Sequence, residues 1–348
     1  MRIAAMRRES FKQIRPHRAD EEPSRREKPE VKNVPNMPTP EANPETSPVQ
    51  STHRNHPSIV GVRIEKMFGQ VLSQVEDDIA VEEPLEIRLV YGAAGEQKLK
   101  SISVTMRTPG FDSDLAAGFL VTEGVVRDAA DILNIVTTSH AQATEESPAY
   151  ARRNQVSVEL AEDVPVSLAS LERNFYTTSS CGICGKASLL ALRSVCPPRL
   201  PNRFLVAADV LTTLPPKLRR AQSVFHRTGG LHGAGLFTAA GELVMVREDV
   251  GRHNAVDKLL GAQFLAGNAP LRDNLLLLSG RASFELLQKA VMGGIPMVAA
   301  VGAPSSLAVE VAREFDITLV GFLREQRFNI YNGAERVLPG SRAAGGHA

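Results

Sequence analysis

The stretch from Arg252 to Phe322 constrains the fold more than any other part of this chain, because helix-like and strand-like segments alternate through it. Periodicity predicts helices over 252–266, 283–293 and 305–315, and strands over 274–279, 297–301 and 317–322. The strand segments are continuously apolar, as in Leu275-Leu276-Leu277-Leu278, which is what strands covered on both faces require. Strands joined through single helices connect most simply by right-handed crossovers into a largely parallel sheet. The expected fold class is therefore α/β, a sheet sandwiched between helices. A hairpin, Leu236-Phe237 against Leu243–Val246 with its turn at Gly241, leads into this core. A helix through Leu218–Ala221 precedes the hairpin.

Upstream the pattern is shorter and mixed. Leu85–Leu89 and Leu99–Val104 alternate on either side of Gly92 to Gly95, which reads as a hairpin. Asp112-Ser113-Asp114 is placed to cap a helix carrying Leu115, Phe119 and Leu120, and Gln155–Leu160 is a further strand. These segments form a smaller N-terminal α+β region over 58–175, followed over 176–337 by a cysteine-bearing loop and the α/β core. Residues 1–57 are rich in Pro, Glu, Arg, Asn and Ser and poor in large apolar side chains. They bury too little surface to offset ordering entropy and are expected to be a disordered extension, with 338–348 as a flexible tail.

Composition excludes several classes. A net charge of +1 from balanced acids and bases gives no polyanion-binding field, so no nucleic-acid partner is expected. No apolar run reaches membrane-spanning length, and the N-terminus lacks a continuous apolar signal core, so the expected location is cytoplasmic. Three cysteines argue for a reducing compartment rather than a disulfide scaffold.

Two of those cysteines form Cys181-Gly182-Ile183-Cys184, a small-residue loop ahead of a helix-like run at about 185–194. Glycine after each cysteine leaves the sulfurs uncrowded. A helix start at Cys184-Gly185, together with Lys186, favours thiolate over thiol, and thiolate is the reactive form. Two bland readings stand beside sulfur chemistry. A CxxC pair is half of a zinc site, which Cys196 and either His226 or His232 would have to complete at irregular spacing. A thioredoxin-type dithiol is the other, although that motif usually follows the first strand of a small domain.

Polar loops follow each buried strand: Ser279-Gly280-Arg281-Ala282-Ser283, Gly302-Ala303-Pro304-Ser305-Ser306, and Phe322-Leu323-Arg324-Glu325-Gln326-Arg327. Ligands of open α/β sheets bind outside the carboxyl ends of the strands, where helix N-termini favour phosphate. These loops are expected to frame a pocket for an anionic, nucleotide-containing ligand. Ser283, Ser305 or Ser306 would cap helices in any case, so the weight falls on Arg281 and Arg324. Glu248-Asp249-Val250-Gly251-Arg252-His253-Asn254-Ala255-Val256-Asp257-Lys258 is the densest polar run, and its bland reading is solvated surface. Asp249 is a candidate helix cap there, and an apolar strand before the run would hold it near the core. His232, between glycines, is either a proton-handling residue near the pocket or a turn residue.

Ser180–Ala187, Thr228-Gly229-Gly230-Leu231-His232, the run Glu248–Lys258, Ser279-Gly280-Arg281 and the segment from Gly321-Phe322 to Tyr331 occur together in this order. In that combination the chain resembles the FdhD family, sulfur-carrier accessory proteins for formate dehydrogenase, over roughly residues 60 to 335. The resemblance implies a cytidine-deaminase-like α/β/α sandwich and a sulfurtransferase-like activity. Sulfur would pass from a cysteine desulfurase to the molybdenum (or tungsten) bis-pterin guanine dinucleotide before its insertion into the formate dehydrogenase apoprotein. Cys181 would carry the persulfide and Cys184 would be the second sulfur of the relay. Phe322, Leu323, Arg324, Glu325, Gln326 and Arg327, with Ser279, Arg281 and His232, would hold that cofactor as a bound substrate. No metal ligand or permanent cofactor is expected, and a homodimer is. His232-Gly233-Ala234 lacks the glutamate of zinc deaminases, which argues against deaminase hydrolysis. The rival from another class is a non-catalytic cofactor chaperone or a zinc-binding protein.

Overall fold

A computed structural model describes residues 56–138, 154–166, 192–193, 196 and 201–340. All of them belong to one compact unit, Arg54–Ala348. Cys181, Cys184 and most of the helix expected at 185–194 lie outside the described residues, as do residues 1–55 and 341–348.

The larger sheet has the order β13-β12-β11-β10-β8-β9. Its strands are β8 (His232–Thr238), β9 (Leu243–Asp249), β10 (Asn274–Leu278), β11 (Met297–Ala300), β12 (Thr318–Gly321) and β13 (Asn329–Asn332). Only β10, β11 and β12 run parallel; β8, β9 and β13 are antiparallel additions, so the sheet is mixed rather than largely parallel. The expected alternation after 252 is present as α4 (Arg252–Leu265), α5 (Phe284–Met292) and α6 (Ser306–Glu314) between those strands.

Both faces of this sheet are covered, and the pleat divides its apolar residues between them. Leu276, Leu278, Val298 and Leu319 join Val256, Leu259, Leu286 and Val311 of the three helices in one core. Leu275, Leu277, Met297 and Val320 face the other way, onto Leu211, Leu214 and Leu218 of α2 (Ala208–Ala221). Each such leucine, fully buried, contributes roughly 1.5–3 kcal/mol relative to exposure. A short helix α3 (Ser223–Thr228) follows α2, and Glu248 of β9 accepts the N–H groups of Val224 and Phe225 at 3.1 and 2.8 Å.

The second sheet, β4-β3-β6-β5, is built from β3 (Glu83–Tyr91), β4 (Lys98–Arg107), β5 (Ile132–Thr138) and β6 (Gln155–Leu160). The expected β3–β4 hairpin is there, with Gly92 and Gly95 at positive φ. One face packs on α1 (Asp112–Thr122) through Leu85, Ile87, Val156, Val158, Leu115 and Leu120. The expected acidic cap on α1 is not made. The N-cap is Phe111 in the left-handed region, with no side-chain capping bond. Asp112 instead takes a two-nitrogen ion pair from buried Arg107, at 2.9 Å on each side. Asp114 pairs at 2.9 Å with Arg247, whose guanidinium also lies 4.1 Å over the Phe111 ring.

Helices α1 and α4 join the two sheets. A Cβ on Gly118 would strike the backbone of Asp257, and one on Gly261 would strike that of Asp114, so only glycine permits this approach. Two buried ion pairs flank the crossing. Lys289 of α5 meets Asp257 at 2.8 Å and donates to Thr122 of α1 at 3.0 Å. Lys258 meets Asp249 at 2.7 Å and donates to the Thr108 carbonyl at 2.7 Å. The polar run 248–258 is therefore largely interior: Asp249, Asn254, Asp257 and Lys258 are buried, while Arg252 is exposed. The apolar strand before it holds the run near the core through its second half: Leu243 and Val244 of β9 are exposed, while Met245 and Val246 are half-buried against the cores on the two faces of the sheet. The polar partners across the crossing then fix its charged groups in the interior.

Two small elements complete the fold. β7 (Val206–Ala207) pairs with β14 (Val337–Leu338), and β1 (Ile59–Phe68) pairs with β2 (Val71–Ala80) in a separate antiparallel ribbon. No helix among the described residues is long and apolar enough to cross a membrane.

Candidate functional site

The three polar loops do meet at the carboxyl edge of the larger sheet, and backbone hydrogen bonds stitch them together. Gly302 N–H donates to the Gly280 carbonyl at 2.8 Å, Ser305 N–H to Ala282 at 2.9 Å, and Phe322 N–H to Gly302 at 3.0 Å. Small residues are needed for this, since a Cβ on Gly302 would meet Arg281 and Gly280 closer than side chains tolerate.

A cleft of about 410 Å³ opens at the same edge, between the end of β10, the start of β8 and helices α2 and α3. His232, Ser279 and Gly280 line one wall, and Arg219, Gln222, Phe225 and Gly229–Leu231 line the rest. Strand pairing fixes the first wall: Ser279 N–H donates to the Gly233 carbonyl at 3.0 Å, and Gly233 N–H donates to Ser279 Oγ at 2.8 Å. His232 pairs with Asp249 across β8 and β9, so it is a strand residue rather than a turn residue. Burial, reinforced by the nearby Arg252 and His253, holds its imidazole below the ordinary value. Near neutral pH it is an uncharged ring able to accept or relay a proton.

On the opposite wall the Arg219 guanidinium lies 3.8 Å over the Phe225 ring, a cation held in place at the cleft mouth. Gln222 is 2 % exposed, and its Nε2 has no hydrogen-bond partner among the described residues. Leaving a buried amide donor unsatisfied costs on the order of 1–3 kcal/mol, which a ligand with an acceptor would recover. Nothing in the local pattern singled out Arg219, Gln222 or Phe225. They sit where α2 gives way to α3, and read from the sequence they are an amphipathic helix end.

The other expected site residues are placed less simply. Arg281 is exposed, its stem close to Gly302, and it does not line the cleft. Leu323 is fully buried and serves the core behind the sheet. Arg324 gives its Nη1 to the carbonyls of Val301 and Leu323, at 2.6 and 3.2 Å, which binds loop to loop. Phe322 is exposed in the left-handed region, and Glu325, Gln326 and Arg327 are exposed beside it. Ser305 caps α6 by accepting the Ala308 N–H at 3.2 Å, whereas Ser283 sits at the start of α5 without such a bond. Cys196 is half-buried against the core, 3.8 Å from Met292 Sδ. Among the described residues no cluster of three or more His, Cys, Asp or Glu could hold a metal ion.

By architecture this is an α/β protein with a polar cleft at the carboxyl edge of a mixed sheet, a class defined by geometry rather than by activity. Within it the chain belongs to the FdhD/NarQ family, which it matches over residues 80–338. It is 52 % identical over 272 residues to the sulfur carrier protein FdhD of Streptomyces avermitilis, covering 78 % of this chain and 92 % of that one. The protein of the same name from Sulfurisphaera tokodaii is 38 % identical over 277 residues, covering 80 % and 98 %. A crystal structure described as a candidate formate dehydrogenase accessory protein from Desulfotalea psychrophila superposes with a TM-score of 0.61. At 22 % identity, over 81 % of this chain and 100 % of that one, it shares the fold.

Proposed function

We propose that this chain is a sulfur carrier that loads the bis-pterin guanine dinucleotide cofactor of a formate dehydrogenase. The observation that carries this reading is family membership over a region that contains Cys181-Gly182-Ile183-Cys184. The Cys181 thiolate attacks the outer sulfur of a desulfurase persulfide, and the desulfurase thiolate leaves, so Cys181 gains the sulfur. Attack by Cys184 on the inner sulfur then closes a Cys181–Cys184 disulfide and expels sulfide toward the metal centre. The two thiols supply the two electrons that this reduction requires. The desulfurase, the apoenzyme and the molybdenum or tungsten cofactor are the partners, and the cytoplasm is where cofactor loading of this kind takes place.

The cleft supports the cofactor half of the proposal. Arg219 offers a charge for phosphate, Gln222 an unused amide donor, and Ser279 with neutral His232 further polar contacts. Arg281 and the 322–327 loop adjoin the same edge and complete the reading of a nucleotide site. The helix–sheet–helix layering supports a cytidine-deaminase-like sandwich adapted to carriage rather than hydrolysis.

Mass spectrometry after incubation with cysteine desulfurase and cysteine is expected to find an added sulfur atom on Cys181 or Cys184. Label confined to Cys196 defeats the assignment. Stoichiometric zinc held by the two cysteines would favour the metal-binding rival instead. In a titration with GDP, Arg219→Ala is expected to weaken binding about tenfold, the loss of one charge-assisted contact. Equal binding by wild type and Arg219→Ala removes the cleft from the proposal.

A further inference from the structure

The cleft at the carboxyl edge of the larger sheet is short of charge for a dinucleotide. Among the described residues that line it, Arg219 is the one permanent charge, and no acid is present. His232 is the one lining group that titrates near neutrality. A dinucleotide joins its halves through a diphosphate diester, whose two negative charges persist across the neutral range. Arg219 answers one of them. The other enters a partly enclosed site where an uncompensated charge is costly, and a neutral imidazole in the wall can answer it by taking a proton.

The surroundings of His232 fit a ring that is uncharged when the cleft is empty. Pairing with Asp249 across β8 and β9 fixes its backbone, and a Cβ on Gly280 would lie 3.5 Å from its Nδ1. From β9, Asp249 favours a proton on the ring, but that carboxylate is already committed to Lys258 at 2.7 Å. From α4, Arg252 and His253 both oppose the proton. His253 in turn faces Glu285 of α5, with Nε2 3.9 Å from Oε2. Arg219 of α2 stands in the same cleft, whereas His226 of α3 and Arg281 before α5 are exposed and outside the lining. Burial is the largest cause that keeps the ring neutral, and an anion set against the ring offsets that cost.

We infer, resting on the nucleotide reading of this cleft, that a ligand of the diphosphate-diester class draws one proton from solvent as it enters, and that His232 carries it. The ring gains the proton at the nitrogen that bears none, the buffer gives it up, and no bond of the ligand changes. The seat is thus one fixed cation, Arg219, and one made on demand. Affinity must then rise as the pH falls from the bound-state midpoint of His232 toward its free-state midpoint, which lies below 6.5. The gain is at most about tenfold per pH unit. It stops below the free-state midpoint, where the ring is already charged.

Calorimetry of the full chain with GDP-mannose tests this, because that diphosphate is a diester and does not itself titrate near neutrality. At about pH 7, wild type is expected to give different binding heats in Tris and in PIPES, two buffers of unlike ionisation enthalpy, in proportion to the proton taken up. His232→Gln keeps a polar side chain that cannot titrate. It is expected to give equal heats in the two buffers and to lose the gain in affinity on acidification. Sulfate serves as a nucleotide-free probe, and NMR of the wild-type ring is expected to show the His232 midpoint raised by it. GDP-mannose binding with buffer-independent heat, or equal proton uptake by wild type and His232→Gln, overturns the inference and leaves the nucleotide reading standing. A midpoint raised by sulfate with no binding of GDP-mannose strikes the nucleotide reading and upholds the proton-coupled anion seat. A midpoint that neither anion moves overturns the inference.

Discussion

The six-stranded sheet and the β1–β2 ribbon are both built of paired strands, and they differ in what covers them. In the sheet, Leu275 and Leu277 meet α2 while Leu276 and Leu278 meet α4 to α6, so every apolar side chain of β10 has a partner within the chain. In the ribbon, Val60 and Ile79 are each 44 % exposed, Val71 68 % and Phe68 85 % among the described residues. The local pattern is β-forming in both. The depth of burial separates them, and an isolated two-stranded ribbon is marginally stable at best.

The largest effect that would sharpen this contrast belongs to the polar interior around the sheet. Lys258→Ala removes the counter-charge of fully buried Asp249 and is expected to cost about 3–5 kcal/mol in denaturant unfolding. Next comes the sheet itself. Leu277→Ala opens a hole in a core with no exposure and is expected to cost about 2–5 kcal/mol. Val75→Ala in the half-buried middle of the ribbon is expected to cost under about 1 kcal/mol. Equal losses for Leu277→Ala and Val75→Ala would break the comparison.

How far the sequence displays this arrangement depends on the range of the interactions involved. Strands 274–279, 297–301 and 317–322 and the helices between them were legible because a doubly covered strand must be apolar at every position. Antiparallel β13 was not, since Asn329-Ile330-Tyr331-Asn332 carries no comparable run. The Asp249–Lys258–Thr108 cluster was equally hidden. Asp249 and Lys258 stand in one polar run, but Thr108 lies 141 and 150 positions from them, so no local window shows that the run is interior. At the site, His232 and Ser279 were legible from their glycine and strand-end settings. Arg219 and Gln222 were not, because the wall they form exists only once α2 turns into α3.

The smallest expected effect is a pH dependence centred on His232. Its folded-state pKa is depressed below 6.5, so the unfolded chain takes up a proton first as the pH falls. The stabilising contribution is complete above 6.5 and is lost as pH drops through the lower folded value. His232→Gln should flatten the acid side of the stability profile, and NMR titration should place the ring's midpoint below 6.5. A midpoint at or above 6.5 would contradict a half-buried ring beside Arg252.

The glycine seam between α1 and α4 sets a limit on how the gene can be cut. A fragment starting at 201 would keep the six-stranded sheet and yet leave Gly118's helix behind, baring Gly261, the buried lysines at 258 and 289 and the acids they neutralise. Neither half can be expected to survive expression without the other, so dissection of this protein has to proceed by substitution.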